Sequence, residues 1–446
     1  MKCIRTLNLK VMAMAMLAIV SSCHKDQTIV NSPNLELTDH YLIKNWYSLG
    51  LELGPKCNGF SEPIMARSLS YFSILMHESL FRGIPGMKSY KSSSDGFNFN
   101  LLQPDESLEY NWAIVANDAA LAYFEVVFGS SGEMLRARSI RDNNFNKYSI
   151  GVDSTVLAQS SLYGKQLAHS LLKFAESDGQ SAAYLNPNPS SYIPEKGEGK
   201  WIPSSPDYSS RPLLPYWGNS RGIIQNNIDQ VLLNKELFYS NLPNSNMYAE
   251  AVEVQNNSLA ITVEQKEDAA YFNREMGAIA QPLYHNFLLA IQLMTEKQLD
   301  LPKSLELLCK LSFAMHDGYV ATYKYVYSKN LLRVSTYIKQ NLNRYYQPIY
   351  PSLTIPEGVS DLAVSYAIGA EILSNFFGYR QVFIDRTQIE RPDLRNKSKQ
   401  FDSFQQLSIE ASQVDIYTGV HFRTSIEAGR KLGTDIARNI MNQIQK

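Results

Sequence analysis

Apolar residues recur at intervals of three and four along most of this chain, the spacing that turns one face of an α-helix toward a core. The pattern predicts helices over Ile64–Leu80, Trp112–Phe128, Ser154–Ala175, Ala249–Phe272, Pro282–Lys297 and Leu305–Tyr327. Leu362, Tyr366, Ala370, Leu373 and Phe377 mark a further apolar helical face, and Ile426, Gly429, Gly433, Ile436 and Ile440 one packed face of a C-terminal helix. Strictly alternating runs, the mark of half-buried strands, are scarce. An all-α fold is expected.

One long stretch breaks the period. From Asp178 to about Gly222 the chain holds Pro187, Pro189, Pro194, Pro203, Pro206, Pro212 and Pro215. Each proline removes an amide donor and blocks helix, so a structured loop is predicted here. Its Trp201, Tyr208, Leu213, Leu214, Tyr216 and Trp217 are too apolar for a free linker and are expected to pack over the helices. A helical bundle crossed by a long proline- and aromatic-rich clamp is the architecture this implies.

At 446 residues and 44% hydrophobic content, the chain can bury a large core, which excludes disorder. A formal net charge of −1 and the lack of long basic runs argue against a nucleic-acid partner. Lys2, Arg5 and Lys10 precede an apolar run from Val11 to Val20, a secretory pattern too short to span a bilayer. Val20-Ser21-Ser22-Cys23 resembles a bacterial lipoprotein processing site, with Cys23 as the lipidated residue. The expected organisation is a signal peptide over 1–22, a tether over 23–35 and one large helical domain over 36–446, with the irregular loop at 178–222. Acyl chains on Cys23 would hold the protein on a membrane of the cell envelope. Cys57 and Cys309 then remain, and buried thiols are expected rather than a disulfide.

The chemistry sits in the last third. Val414 to Gly429 reads VDIYTGVHFRTSIEAG and is similar to the last signature of the acid phosphatase and vanadium haloperoxidase superfamily: a Ser-Arg pair, a Tyr-Gly-Gly-Ile-His run, then an Asp four residues after the His. Other segments, in order, resemble a bacterial lipoprotein branch of the same superfamily: IMARSLSYFSILMHESLFRGIPGMKSYKS from Ile64, NWAIVANDAALA from Asn111, and GKWIPSSPDYSSRPLLPYWGNSRG from Gly197. The likeness covers nearly the whole mature chain, with the motif positions in 305–446.

What the resemblance implies is a positive pocket for phosphate or vanadate, built from one Lys, two Arg, a Pro-Ser-Gly-His segment and a final His held by an Asp. Forked arginines suit such an oxyanion. Here most of those positions are replaced. Asn330, Arg333 and Thr336-Tyr337-Ile338 fall where the pattern puts them, but Val326 stands for the Lys and Val334 for the Pro after Arg333. Pro356-Glu357-Gly358-Val359 stands for Pro-Ser-Gly-His. His421 and Gly419 are kept, while Asp415 replaces the second Arg and Ser425 the Asp. Lys324 and Lys329 are near but lack the spacing, and solvated lysines are expected. One cation, Arg333, thus faces two anions, Glu357 and Asp415. Vanadate is not expected as a cofactor, and an internal ion pair with Arg333 is the bland reading of the two carboxylates.

Three functional readings follow. The first is a catalytically silent or strongly altered relative, a membrane-anchored lipoprotein with a binding or structural role. The second is a hydrolase of altered chemistry at the remnant pocket, phosphatase-like or using a divalent metal, although no local metal-ligand spacing is present. The third is a glycan-binding accessory lipoprotein, on account of the aromatics between Tyr184 and Trp217. Protein, glycan and membrane are the partner classes. His77, His169, His285 and His316 are expected to be satisfied helix histidines, with neither His77–Glu78 nor His316–Asp317 forming a dyad, since adjacent helix residues diverge.

Overall fold

The computed structural model describes residues 35–92, 98–204, 209–229, 231, 233, 235–272 and 281–444. The proposed signal peptide, Cys23, nearly all of the tether, and Tyr208 lie outside these. Fourteen α-helices are described: α1 Tyr41–Leu53, α2 Glu62–Leu80, α3 Trp112–Val127, α4 Met134–Tyr148, α5 Ser154–Glu176, α6 Gln225–Asp229, α7 Asn246–Leu259, α8 Val263–Tyr271, α9 Pro282–Glu296, α10 Leu301–Lys329, α11 Val334–Asn341, α12 Asp361–Phe377, α13 Phe404–Thr418 and α14 Arg423–Gln443. Among the described residues the fold is all-α apart from a short hairpin, β1 Phe383–Asp385 antiparallel to β2 Lys399–Phe401.

Helix α10 is the spine. At about 1.5 Å per residue its 29 residues reach roughly 44 Å, and almost every side chain from Leu305 to Val326 is buried. On one side it packs against α2, which packs on α3, and α3 on α5; on the other it packs against α12, which is flanked by α13 and α14. Helices α12 and α14 approach closely because Gly429 and Gly433 form a row of missing side chains. A Cβ on Gly429 would sit 2.5 Å from the Ser360 carbonyl oxygen, and one on Gly433 would sit 2.3 Å from that of Val364.

Two sequence expectations need correction. The single helix expected over Ala249–Phe272 is two, because the Thr262 side chain accepts from Gln265 N at 3.1 Å while Gln265 accepts from Thr262 N at 3.0 Å. That reciprocal capping starts a new helix although the apolar period runs on. The hairpin was invisible because each strand is three residues long, too short to show alternation; Phe383 and Phe401 pair across it with stacked rings.

The loop from Asp178 to Gly222 is stitched down at both ends and in its middle. Asp178 accepts from Arg67 Nε at 2.6 Å and Tyr71 at 2.9 Å. Beyond the loop, Asp317 accepts from the amides of Ile223 and Ile224 at 2.7 and 3.1 Å. Trp201, Leu214 and Trp217 are buried and Leu213 half-buried, but Tyr216 is exposed rather than packed. Cys57 and Cys309 are free and buried. Among the described residues, no helix is long and apolar enough to cross a membrane.

Candidate functional site

The remnant positions meet at the end of α10. Asn330 closes that helix in the left-handed conformation, φ 49°, with its amide bonded to the Val326 carbonyl at 2.8 Å. Asparagine tolerates this conformation better than most residues with a Cβ. The chain then runs extended: Leu331 bridges to Lys200 of the loop on one side and to Glu357 on the other. Bonds from Trp201 N to the Asn330 carbonyl and from Leu332 N to the Gly199 carbonyl, 2.8 and 2.9 Å, hold the loop here. The clamp therefore fixes the segment that carries Arg333, and through Leu331 the segment that carries Glu357.

His421 arrives from the turn between α13 and α14. Gly419, φ 83°, makes that turn; a Cβ there would meet the Tyr346 hydroxyl at 2.2 Å. The amide of Val420 returns to the Asp415 carbonyl at 2.9 Å. The imidazole is buried with carboxylates on both sides. Its Nδ1 bonds Glu357 Oε1 at 2.6 Å. Its Nε2 lies 3.3 Å from Arg333 Nη2, 3.7 Å from Asp361 Oδ1 and 4.0 Å from Asp415 Oδ2.

Arg333 is also buried. Its Nη2 donates to the Val420 carbonyl at 2.9 Å, and its Nε stands 3.4 Å from Glu357 Oε2. Ser360 caps α12 by accepting from Ala363 N at 3.1 Å, and its hydroxyl donates to Asp415 Oδ2 at 2.7 Å. Val326 and Val359 are part of the main core and bring only apolar surface. Gly358 follows Glu357 with φ 140°. Lys324 and Lys329 lie at the surface, paired with Asp229 and Glu236 at 2.8 and 3.1 Å, and supply no charge to the pocket.

The charge states follow from these neighbours. Burial alone would raise the Glu357 carboxyl, but Arg333 and His421 outweigh it, and with the nearby Ser425 hydroxyl hold it at about 2. Burial would lower His421; the carboxylates, Glu357 first, overcome both burial and Arg333 and raise it above its ordinary value. A protonated imidazole has no lone pair to ligate a metal or attack phosphorus. Glu357 is thus the carboxylate that holds His421, the part the resemblance assigns to position 425, where Ser425 stands.

A phosphate or vanadate does not fit these residues. With Nδ1 held by Glu357, Nε2 is the nitrogen left to meet it, and Asp361 and Asp415 stand on that side. Two like unit charges about 4 Å apart repel by ~4 kcal/mol at an effective dielectric of about 20. Among the described residues, no group of His, Cys, Asp and Glu is set to hold a metal ion.

Sequence reasoning missed Ser360 and Asp361. The signal was the Ser-Asp pair that opens α12, a helix-start signature directly after the altered motif. It also misjudged His77, whose Nδ1 reaches the neighbouring Glu78 at 3.2 Å. The Glu78 carboxylate is turned back to accept from Ser89 Oγ at 2.7 Å and Tyr90 N at 3.0 Å, which brings it beside the ring. His316 and Asp317 do diverge: His316 bonds the Arg221 carbonyl at 3.0 Å, and burial pushes it down to about 4.

No curated protein matches this chain significantly. The crystal structure of the first bacterial vanadium-dependent iodoperoxidase has the same fold, with a TM-score of 0.78 and 22% identity over 90% of this chain and 96% of that one. A holo-type bacterial vanadium-dependent chloroperoxidase follows, with a TM-score of 0.63 and 12% identity over 88% and 93% of the two chains. Its apo-type counterpart gives 0.59 and 11% over 86% and 94%. Residues 306–446 match the family model of the VCPO second helical-bundle domain.

Proposed function

We propose that this protein is a catalytically silent relative of the acid phosphatase and vanadium haloperoxidase superfamily, the helical scaffold kept as a lipid-anchored binding or structural protein of the cell envelope. The observation that carries the reading is the closed cluster of Arg333, Glu357, Asp361, Asp415 and His421, in which protein carboxylates stand on both sides of the imidazole. A nucleophile or ligand must offer a lone pair, and the carboxylates around this imidazole, Glu357 first, favour its protonated form. The metal-dependent form of the altered-hydrolase reading needs a cluster of ligands, and no such group is found among the described residues. A glycan platform between Tyr184 and Trp217 is weakened by the burial of Trp201 and Trp217, whose faces are spent on packing. Anchoring rests on the Val20-Ser21-Ser22-Cys23 pattern.

Phosphatase and halide-oxidation assays on the purified chain test the silence: no turnover above that of His421→Ala is expected, and activity lost in that variant would overturn it. Cys23→Ala is expected to abolish incorporation of labelled fatty acid. Persistent labelling would remove the anchor from the account.

A further inference from the structure

Arg333 spends only part of its donors, Nη2 on the Val420 carbonyl. Its Nε and Nη1, Glu357 Oε2 and the Ser425 hydroxyl make no hydrogen bond of ordinary geometry among the described residues, although all are buried. An arginine fork left partly unused in a core is costly, since each buried donor without an acceptor loses its hydration and gains nothing. Around Glu357 stand the three groups that recognise a carboxylate: a guanidinium 3.4 Å from one oxygen, an imidazole nitrogen 2.6 Å from the other, and the Ser425 hydroxyl nearby.

We propose that Arg333, His421 Nδ1 and Ser425 form a carboxylate-binding subsite whose occupant is this chain's own Glu357, and that a small free carboxylate takes its place when that side chain is cut back. The inference rests on the reading of a closed, silent pocket and adds what closes it. The subsite lies on the Nδ1 side of His421, away from Asp361 and Asp415, which face Nε2. That separation lets an anion bind at Nδ1 although one at Nε2 is repelled. A carboxylate is planar and presents two acceptors, which matches an Arg fork and one imidazole N–H. The natural occupant is tethered: the Glu357 amide bonds the Leu331 carbonyl at 2.8 Å, two residues from Arg333. A tethered ligand competes at high effective concentration, so free carboxylates do not displace it in the native chain.

The test is thermal unfolding and calorimetric titration of the full chain with sodium formate, then acetate, against sodium chloride at equal ionic strength. Glu357→Ala is expected to melt below the native chain and to recover saturably with formate, more than with bulkier acetate, while the native chain does not respond. Adding Arg333→Ala to Glu357→Ala is expected to weaken formate by about tenfold or more, as loss of one charge-assisted hydrogen bond does. Glu357→Ser serves in the same way should Glu357→Ala not fold. No saturable formate effect in either single variant, or an equal effect in the native chain or the double variant, overturns the subsite. Vanadate binding by the native chain would instead overturn the silent reading, leaving the formate result to judge the subsite.

Discussion

Two histidines of this protein are buried against a carboxylate at the same distance, and they differ in what is left over. His285 on α9 bonds Asp385 through Nε2 at 2.6 Å and meets the Tyr366 hydroxyl through Nδ1 at 2.7 Å. Asp385 Oδ1 accepts from Thr387 N at 2.8 Å. Both ring nitrogens there have partners, and the cluster ties the hairpin to α9 and α12. His421 also has a carboxylate at 2.6 Å, but its surroundings hold an arginine with unused donors and two further carboxylates near Nε2. The His285 ring is paired at both nitrogens. Around His421 the atoms of Arg333, Glu357 and Ser425 left unpaired among the described residues gather in one cluster, which is the difference between the two sites.

The contrast is broken hardest at Glu357. Removing it by Glu357→Ala leaves a buried guanidinium and imidazolium without their shared anion, and a loss of ~3–5 kcal/mol is expected in urea unfolding. Asp385→Asn keeps the shape of the structural cluster and exchanges a charged acceptor for a neutral one, so ~1–3 kcal/mol is expected. If Asp385→Asn proved the more damaging, the two clusters would have been ranked wrongly.

Acid sharpens the same comparison. Glu357 and Asp385 are both held at about 2, Glu357 by Arg333 and His421 and Asp385 by His285, against burial in each case. Each contributes stability that is fully present above its unfolded value, ~4.3 for Glu and ~3.9 for Asp, and is lost as pH falls toward 2. Glu357→Gln and Asp385→Asn should each flatten part of that acid limb of stability against pH. His421 has the opposite sign: its raised value gives stability that is full below ~6.5 and lost as pH rises through the folded value. An alkaline limb that persists unchanged in His421→Gln would refute this assignment.

Smaller effects concern the scaffold. Gly433→Ala gains up to ~1 kcal/mol of helix propensity but drives a Cβ against the Val364 carbonyl, so a net loss of ~1–3 kcal/mol is expected by thermal unfolding. Lys324→Ala removes an exposed pair with Asp229 and should leave the melting temperature unchanged.

Much of the scaffold was legible because period carries helix. Gly429, Gly433, Ile436 and Ile440 lie on one buried face of α14 as their spacing implied. The replaced motif positions could also be named from sequence, since motif spacing survives the loss of its residues. What spacing does not carry is which atom meets which. Glu357 read as an anion in an oxyanion's place, and only coordinates show its oxygen on Nδ1 of His421, doing the work of the Asp replaced by Ser425. Asp361 stayed hidden because its contact with His421 spans sixty residues and belongs to no motif. The Thr262 break was lost because a cap of two side chains interrupts a helix without interrupting its apolar period.

The most direct test of the central claim is isothermal titration of orthovanadate and of phosphate into the full chain, with His421→Ala and Arg333→Ala beside it. The closed cluster predicts no saturable heat from either oxyanion in any of the three proteins. Saturable binding to the native chain, lost in both variants, would show that the pocket still holds an oxyanion and would contradict the account.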